Sequence, residues 1–228
     1  MVPSSGRKKT LAGAAVRAHQ HLMAHRGHAA YQYLTEERGL TDATLTRFMV
    51  GLVPDDDPDF GDKAGWISLP NLTPSGPITI RYRRPPGSTD PAKYKSMPGH
   101  SPRLFNTTAI LTAQDTLCVT EGAIDCMSLA QCGLHAVGLE SASSWNKPFA
   151  LAVHGFDNII VCEDGDDDGA GSRLSQKILA DIDWAKVVRF EGCDVNDYMN
   201  QYGQQALWQK VMSAVNARPA TTEREGEE

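Results

Sequence analysis

The chain has 228 residues, of which 41% are hydrophobic and 22% charged, a composition typical of globular proteins and enough for one large domain or two small ones. No apolar run approaches the roughly 20 residues of a membrane helix, and no signal-peptide core follows the N-terminus, so a cytoplasmic location is expected. The five cysteines include no C-x-x-C pair, which argues against a zinc ribbon, and a cytosolic setting would argue against disulfides.

The net charge of −6 hides an asymmetry between the two halves of the chain. Residues 1–110 carry 14 Lys and Arg against 9 Asp and Glu, a net of +5, whereas residues 111–228 carry 8 against 19, a net of −11. A basic half suits a phosphate backbone, and an acidic half suits bound cations. Nucleic acid therefore remains a candidate ligand despite the acidic total.

The N-terminal segment is polar and basic at residues 1–10, which are expected to form a disordered tail. A helix is predicted over residues 11–24. Three histidines at positions 21, 25 and 28 would share one helical face. A zinc site would need a further ligand, so a solvated histidine face is expected and no zinc.

Residues 27–55 indicate two short helices. The first carries Tyr31 on its apolar side and ends at Gly39, a typical position for a glycine after a helix. Thr41 is expected to cap the second helix, which ends at Gly51.

Residues 65–84 predict a β-hairpin that turns at P-S-G-P, followed by a loop and the basic stretch K-Y-K. Basic side chains for phosphates beside aromatic rings for bases are typical of a single-strand groove. A charged hairpin edge that blocks aggregation is the alternative. The candidate nucleic-acid- or nucleotide-binding residues are Arg81, Arg83, Arg84, Lys93, Tyr94 and Lys95.

After Asn106, apolar runs alternate with helical segments. Strands are predicted at residues 117–120, 136–139, 158–162 and 187–190, and helices at 123–131, 145–154, 170–182 and 204–216, with a loop at 192–200. This alternation predicts a parallel sheet covered by helices on both faces.

The expected fold class is therefore α/β. A basic α+β subdomain occupies residues 11–110 and the sheet domain residues 111–202. A closing helix follows at 203–217, and residues 218–228 are expected to form a disordered acidic tail.

Two acidic signatures follow predicted strands. L-C-V-T-E-G-A-I-D places Glu121 and Asp125 after the first strand, and I-I-V-C-E-D-G-D-D-D-G places Asp164, Asp166 and Asp168 after a later one. Ligands in open α/β sheets gather at the carboxyl ends of the strands, so these acids are expected on one rim. A hard divalent cation, Mg²⁺ or Mn²⁺, would relieve their repulsion and serve phosphates. A solvated acidic turn that caps a helix is the alternative.

A third acid pair, Asp194 and Asp197, follows the last predicted strand. It would join the same rim if that strand is parallel to the others. Helix capping by these side chains is an equally good interpretation.

The ordered series of motifs resembles a known module. E-G-A-I-D followed by D-G-D-D-D-G resembles the Toprim domain, which is shared by bacterial-type (DnaG-class) primases, topoisomerases and certain nucleases. Y-L-T-E-E-R-G-L-T-D-A-T-L-T-R-F-M-V-G resembles the start of the primase catalytic core, A-K-Y-K-S-M-P its basic stretch, and D-V-N-D-Y its later acidic motif. Together the motifs cover roughly residues 28–200, in primase order.

The resemblance implies roles for individual residues. Glu121 is similar to the essential glutamate of the family, and Asp164 and Asp166 to its metal-binding D-x-D pair. Asp125 and Asp194 are similar to supporting acids of a cluster that holds two or more Mg²⁺ or Mn²⁺ ions. The basic stretch that binds template and nucleotide in the family is matched by Lys93 and Tyr94 together with either Arg83 or Arg84.

The sequence departs from the family pattern in three respects. Asn196 stands where the family has an acid, which would weaken the binding of one metal ion. L-E-S-A-S replaces the G-T segment of the Toprim domain. The sequence shows no pattern of a zinc-binding domain before the core or of a helicase-contact domain after it, so a reduced primase similar to those of phages and plasmids is expected.

The implied activity is synthesis of short RNA primers from ribonucleoside triphosphates on single-stranded DNA, by metal-assisted nucleotidyl transfer. The implied partners are a replicative helicase or a separate zinc-binding chain. Two alternatives remain: a Toprim-type metal-dependent nuclease, and a non-catalytic DNA-binding or replisome subunit that needs a partner chain.

Overall fold

The computed structural model of the protein describes residues 4–165 and 169–216. Helix α1 spans Ser5–Ala24, and the Ser4 side chain caps it by accepting a hydrogen bond from the Arg7 backbone N–H. Residues 5–10, expected in a disordered tail, are therefore helical. The serine cap and the helix-forming lysines that follow account for the earlier start.

The segment after α1 forms two helices joined through a π-helical turn. These elements are α2 (Ala29–Gln32), the π-helical turn (Tyr33–Glu37) and α3 (Asp42–Arg47). Gly39 has φ 61° after the first helix, and the Thr41 side chain caps α3, as predicted. Tyr31 is half-buried against the core, in partial agreement with the prediction, and the neighbouring Tyr33 is buried.

A four-stranded antiparallel sheet follows, in the order β1-β2-β3-β4. Its strands are β1 (Gly51–Leu52), β2 (Ile67–Thr73), β3 (Gly76–Arg83) and β4 (Tyr94–Lys95). The predicted hairpin is confirmed as β2 and β3. Gly51, expected to end a helix, starts β1 instead. A Cβ there would lie 2.4 Å from the carbonyl carbon of Ala18, so the glycine allows α1 to pack directly on the strand.

The C-terminal half forms a parallel sheet in the order β6-β5-β7-β8. Its strands are β5 (Thr116–Thr120), β6 (Ala136–Gly138), β7 (Asn158–Gly165) and β8 (Lys186–Glu191). The helices are α4 (Thr108–Thr112), α5 (Ala123–Gln131), α6 (Lys147–Val153), α7 (Ala170–Asp181), α8 (Val195–Tyr202) and α9 (Gln204–Asn216). This arrangement confirms the α/β fold with helices on both faces.

Helix α8 corrects the loop expected at residues 192–200. The Asp194 side chain starts the helix by accepting a hydrogen bond from the Asp197 N–H at 2.7 Å. Capping is therefore confirmed for the Asp194 side chain, whereas Asp197 takes part through its backbone N–H, and the polar composition of the segment had concealed the helix.

The two halves share one hydrophobic core. A single cluster of buried side chains contains Leu34 and Ile67 from the first half together with Leu129 and Leu207 from the second. Phe105 also exchanges backbone hydrogen bonds with Gly138, at 2.8 and 3.2 Å. The division near residue 110 is thus a change of topology within one packed unit. In the described ranges, no helix combines the length and apolar character needed to cross a bilayer.

Candidate functional site

A cleft of about 370 Å³ opens where the N-terminal half faces the carboxyl edge of the parallel sheet. One wall is basic and the other acidic. The charged and phenolic side chains that line it are Arg38, Arg81, Arg83, Lys93, Tyr94, Glu121, Asp125, Glu140, Asp164 and Asp194. Most of the residues singled out in the sequence are therefore gathered in one place.

The acidic wall is built by the ends of three parallel strands. Glu121 follows β5, Asp164 lies near the end of β7, and Asp194 follows β8 at the start of α8. Asp125 lies in the first turn of α5. Since the strands are parallel, their carboxyl ends bring these acids to the same edge. A Cβ on Gly122 would lie 2.5 Å from Asp125 Oδ2, so a side chain at this position would displace the Asp125 carboxylate.

Asp125 is the buried member of the acidic wall, with 7% of its surface exposed. Burial and, second, the negative charge of Asp194 raise the pKa of its carboxyl to about 7, while the backbone N–H donated by Asn196 at 3.1 Å opposes the shift. A bound cation would favour its charged form.

The donor chemistry of the wall fits Mg²⁺ or Mn²⁺, because carboxylate oxygens are their preferred protein ligands. Asp166 and Asp168, expected in the same cluster, lie outside the described residues. Among residues 4–165 and 169–216, no three His, Cys, Asp or Glu side chains are grouped closely enough to hold a metal ion. Within these ranges, the acids line the cleft without forming a complete ligand set.

The basic wall combines guanidinium groups with tyrosine rings. The Arg81 guanidinium carbon lies 4.1 Å from the centroid of the Tyr94 ring, and Arg83 lies 5.4 Å from the same ring. Arg83 Nη1 also donates to the Tyr94 hydroxyl at 2.5 Å. Lys93 is exposed at the cleft. Stacked arginines of this kind present their remaining N–H groups to anions with little loss of side-chain entropy.

Two of the six predicted basic-wall residues lie elsewhere. Arg84 Nη1 donates to the Asp90 carbonyl oxygen, and the Lys95 ammonium pairs with the Asp90 carboxylate, both at 2.5 Å. Lys95 also lies 4.2 Å from the Trp66 ring centroid. Neither residue is among those that line the cleft. Their contacts hold the loop between β3 and β4.

Arg38 is a cleft residue that the sequence did not indicate. Its guanidinium crosses between the halves, donating to Asp197 at 3.2 Å and to the Asn196 side-chain oxygen at 3.4 Å. Burial alone would lower the pKa of Arg38, but Tyr33, Asp194 and Asp197 raise it above its ordinary value. No short-range pattern predicts contacts across 158 residues of chain.

Glu140 is a second unpredicted cleft residue, in the L-E-S-A-S segment that departs from the family pattern. Its carboxylate contacts His100 Nε2 at 2.7 Å and accepts the Arg103 N–H at 3.0 Å. Its carbonyl oxygen accepts a hydrogen bond from Arg81 at 2.9 Å. This segment therefore fixes the basic wall against the parallel sheet.

Asn196 is fully buried, and its side-chain amide is a donor. It donates to the Arg38 carbonyl oxygen at 2.7 Å and to the Ser128 hydroxyl at 2.8 Å. A carboxylate at this position would face the carbonyl oxygen without a proton to donate. The departure from the family acid thus has a structural explanation in this chain.

Comparison with known proteins places these features in context. Residues 118–199 match the family model described as Toprim-like. The Gene 57 protein of Mycobacterium phage D29 is 32% identical over 133 residues, which are 58% of this chain and 85% of that protein.

Solved structures of DnaG primase domains share the fold. The RNA polymerase domain of Mycobacterium tuberculosis primase DnaG, in complex with a double-stranded DNA oligomer with a 6-nucleotide overhang, has a TM-score of 0.76 at 21% identity, with 93% of this chain and 81% of that chain covered. A DnaG primase catalytic domain bound to single-stranded DNA has a TM-score of 0.68 at 21% identity, with 92% and 83% covered.

Proposed function

We propose that this chain, which belongs to the Toprim/DnaG-type primase family in a phage-like form, synthesises short RNA primers from ribonucleoside triphosphates on single-stranded DNA. The observation that carries the proposal is the single cleft with a carboxylate wall at the Toprim edge and an arginine–tyrosine wall opposite. Such a cleft suits a ligand that brings both cations and phosphates. The DnaG domains of the same fold that were solved with DNA support a nucleic-acid ligand.

In this proposal the basic wall binds and orients the anions. Arg81 and Arg83, held by Tyr94, contact the triphosphate or the template backbone, and the Tyr94 ring is available for a base. Lys93 adds an exposed positive charge at the cleft. Positioning of this kind is most of the protein's task in phosphoryl transfer.

The acidic wall would hold the divalent ions. Glu121, Asp125, Asp164 and Asp194 are the described candidate ligands, and Asp166 joins them in the proposal. When bound, two or more Mg²⁺ or Mn²⁺ ions neutralise the triphosphate and lower the pKa of the attacking 3′-hydroxyl. A bound cation would favour the charged form of Asp125 and so oppose the burial that raises the pKa of this carboxyl.

The partners and location follow from the same proposal. A replicative helicase or a separate zinc-binding chain would direct the protein to its template. The site of action would be the host cytoplasm if the protein is encoded by a phage.

The experiment is primer synthesis by the pure protein with single-stranded DNA, labelled ribonucleotides and Mg²⁺. Glu121→Gln and Asp164→Asn are each expected to reduce synthesis by about a hundredfold or more, because each removes charge next to the reacting phosphate. Asp183→Asn is the matched control, since Asp183 is exposed in the turn before β8. Unchanged synthesis by either cleft variant would refute the assignment.

The alternatives appear as distinct outcomes of this experiment. Shortened DNA with Mn²⁺ and no RNA product would indicate a Toprim-type nuclease. DNA binding without either product would indicate a non-catalytic replisome subunit. The buried amide of Asn196 does not favour the second alternative, because it has a structural role.

A further inference from the structure

The basic wall is organised by a tyrosine that does not itself line the cleft. Tyr33 is 7% exposed, and its ring belongs to the shared core. Its hydroxyl accepts a hydrogen bond from Arg38 Nε at 2.8 Å and a second one from Arg83 Nη2. A tyrosine hydroxyl has two acceptor positions, so this one oxygen serves two guanidinium groups from different elements.

The π-helical turn explains how Arg38 reaches this hydroxyl. The Arg38 backbone N–H donates to the Tyr33 carbonyl oxygen at 2.9 Å, five residues back. The wider turn places Arg38 on the side of Tyr33, where a regular helix would place Glu37. Both arginines also stack on the phenol, with guanidinium carbons 5.3 Å from its centroid.

The other ends of the two arginines are also held. Arg83 donates to the Tyr94 hydroxyl, and Arg38 donates to Asp197 and Asn196. Each guanidinium has five N–H groups, and both arginines line the cleft. Two positive charges are therefore fixed at a defined spacing opposite the carboxylates.

We infer that Tyr33 is a positioning residue, and that it holds Arg38 and Arg83 as a paired site for the polyphosphate of the incoming nucleotide. This inference rests on the proposed function. A cleft of about 370 Å³ with arginines on one wall and acids on the other suits a compact metal-bound polyphosphate. A DNA backbone carries one charge per phosphate, spread along its length, and therefore matches a compact pair of guanidinium groups less well.

The test removes only the hydroxyl. Tyr33→Phe keeps the ring in the core and leaves both guanidinium groups without their shared acceptor. The expected result is about tenfold weaker binding of inorganic tripolyphosphate with Mg²⁺ by calorimetry, equivalent to about 1.4 kcal/mol. In primer synthesis the KM for nucleotides should rise about tenfold while kcat changes less than about threefold.

Tyr31→Phe is the matched control. Tyr31 lies two residues away, and its hydroxyl donates to Asp42 Oδ1 at 2.7 Å, outside the cleft. The affinity of Tyr31→Phe for tripolyphosphate should equal that of the unmodified protein. Binding of an oligothymidylate should change less than about twofold in either variant.

If Tyr33→Phe acts through a general structural effect, it should lose affinity for tripolyphosphate and for DNA to the same extent. This result would overturn the inference. Unchanged tripolyphosphate affinity in Tyr33→Phe, or absence of tripolyphosphate binding in the unmodified protein, would also overturn it. If Tyr33→Phe is poorly folded by near-ultraviolet circular dichroism, Arg38→Lys replaces it in the same comparison with DNA. Arg38→Lys keeps the charge and loses the planar group.

The double variant Tyr33→Phe/Arg38→Lys provides an independent check. If Tyr33 acts through Arg38, the double variant should lose less tripolyphosphate-binding free energy than the sum of the losses in the two single variants. Fully additive losses would contradict the positioning role. If the unmodified protein binds tripolyphosphate as expected but makes no primers, the proposed function fails while the paired anion site stands.

Discussion

Asn196→Asp restores the acid of the family pattern, and we expect it to destabilise this protein. The side-chain nitrogen of Asn196 donates to the Arg38 carbonyl oxygen and to the Ser128 hydroxyl, in a site with no solvent exposure. A carboxylate cannot donate to the carbonyl oxygen. It also adds charge beside Asp125, whose Oδ1 accepts the Asn196 backbone N–H.

The magnitude follows from these contacts. A buried polar group left without its partner costs about 1–3 kcal/mol, and a buried negative charge beside Asp125, only partly offset by Arg38 Nη1 at 3.4 Å, brings the total to about 3–5 kcal/mol. For a chain of this length each kcal/mol corresponds to about 2–4 °C in Tm. The variant should therefore unfold about 6–20 °C lower than the unmodified protein at pH 8.

The assay is thermal unfolding in EDTA, so that metal binding does not contribute. Below about pH 5 the difference in Tm between Asn196→Asp and the unmodified protein should shrink, because a protonated carboxyl can donate one hydrogen bond. Asn216→Asp is the control, since Asn216 is exposed at the end of α9 and exposed substitutions usually change stability by less than about 0.5 kcal/mol. Equal Tm values for Asn196→Asp and the unmodified protein at pH 8 would refute the structural role of the amide.

Two further predictions concern stability. Burial raises the pKa of Asp57, but the hydrogen bonds from Arg17 and from two backbone N–H groups outweigh it and lower the pKa below its ordinary 3.8. The pKa of Asp57 is lower in the folded protein than in the unfolded chain. Its hydrogen bonds therefore stabilise the fold above about pH 4, and this stabilisation is lost as the pH falls through the folded-state pKa. Asp57→Asn should thus lower the free energy of unfolding, measured with urea, by about 1–3 kcal/mol at pH 7 and by progressively less below pH 4. A loss of stability that grows as the pH falls would contradict this. Gly165→Ala should cost about 3 kcal/mol or more, because the added Cβ would lie 2.0 Å from the Phe190 carbonyl oxygen. Gly155→Ala, which meets no atom within 4 Å, should leave Tm nearly unchanged, and equal Tm losses in the two alanine variants would refute the steric argument.

The C-terminal fold was predictable because its signals are local. Apolar runs that end in carboxylates, separated by helical segments with short loops, predict a parallel sheet. The strand ends then bring Glu121, Asp164 and Asp194 to one edge without further information. The prediction of α5 matches the structure because a β-type apolar run, a glycine and an uninterrupted helical segment follow one another.

The unpredicted features depend on distant contacts or on weak local signals. The polar stretch that became α8 is helical because Asp194 caps it and its Val195 and Met199 find a buried surface, which the segment itself does not reveal. Arg38 and Glu140 enter the cleft through contacts with residues far away in the sequence. Arg84 and Lys95 each directly follow a cleft residue in the sequence. Only their contacts with Asp90 show that they hold a loop.

Primer synthesis by the pure protein tests the central claim most directly. With single-stranded DNA, labelled ribonucleotides and Mg²⁺, we predict short RNA products that disappear in Glu121→Gln and persist in Asp183→Asn. Equal RNA yields from all three proteins, or no RNA from the unmodified protein under conditions where it binds both DNA and nucleotide, would contradict the account.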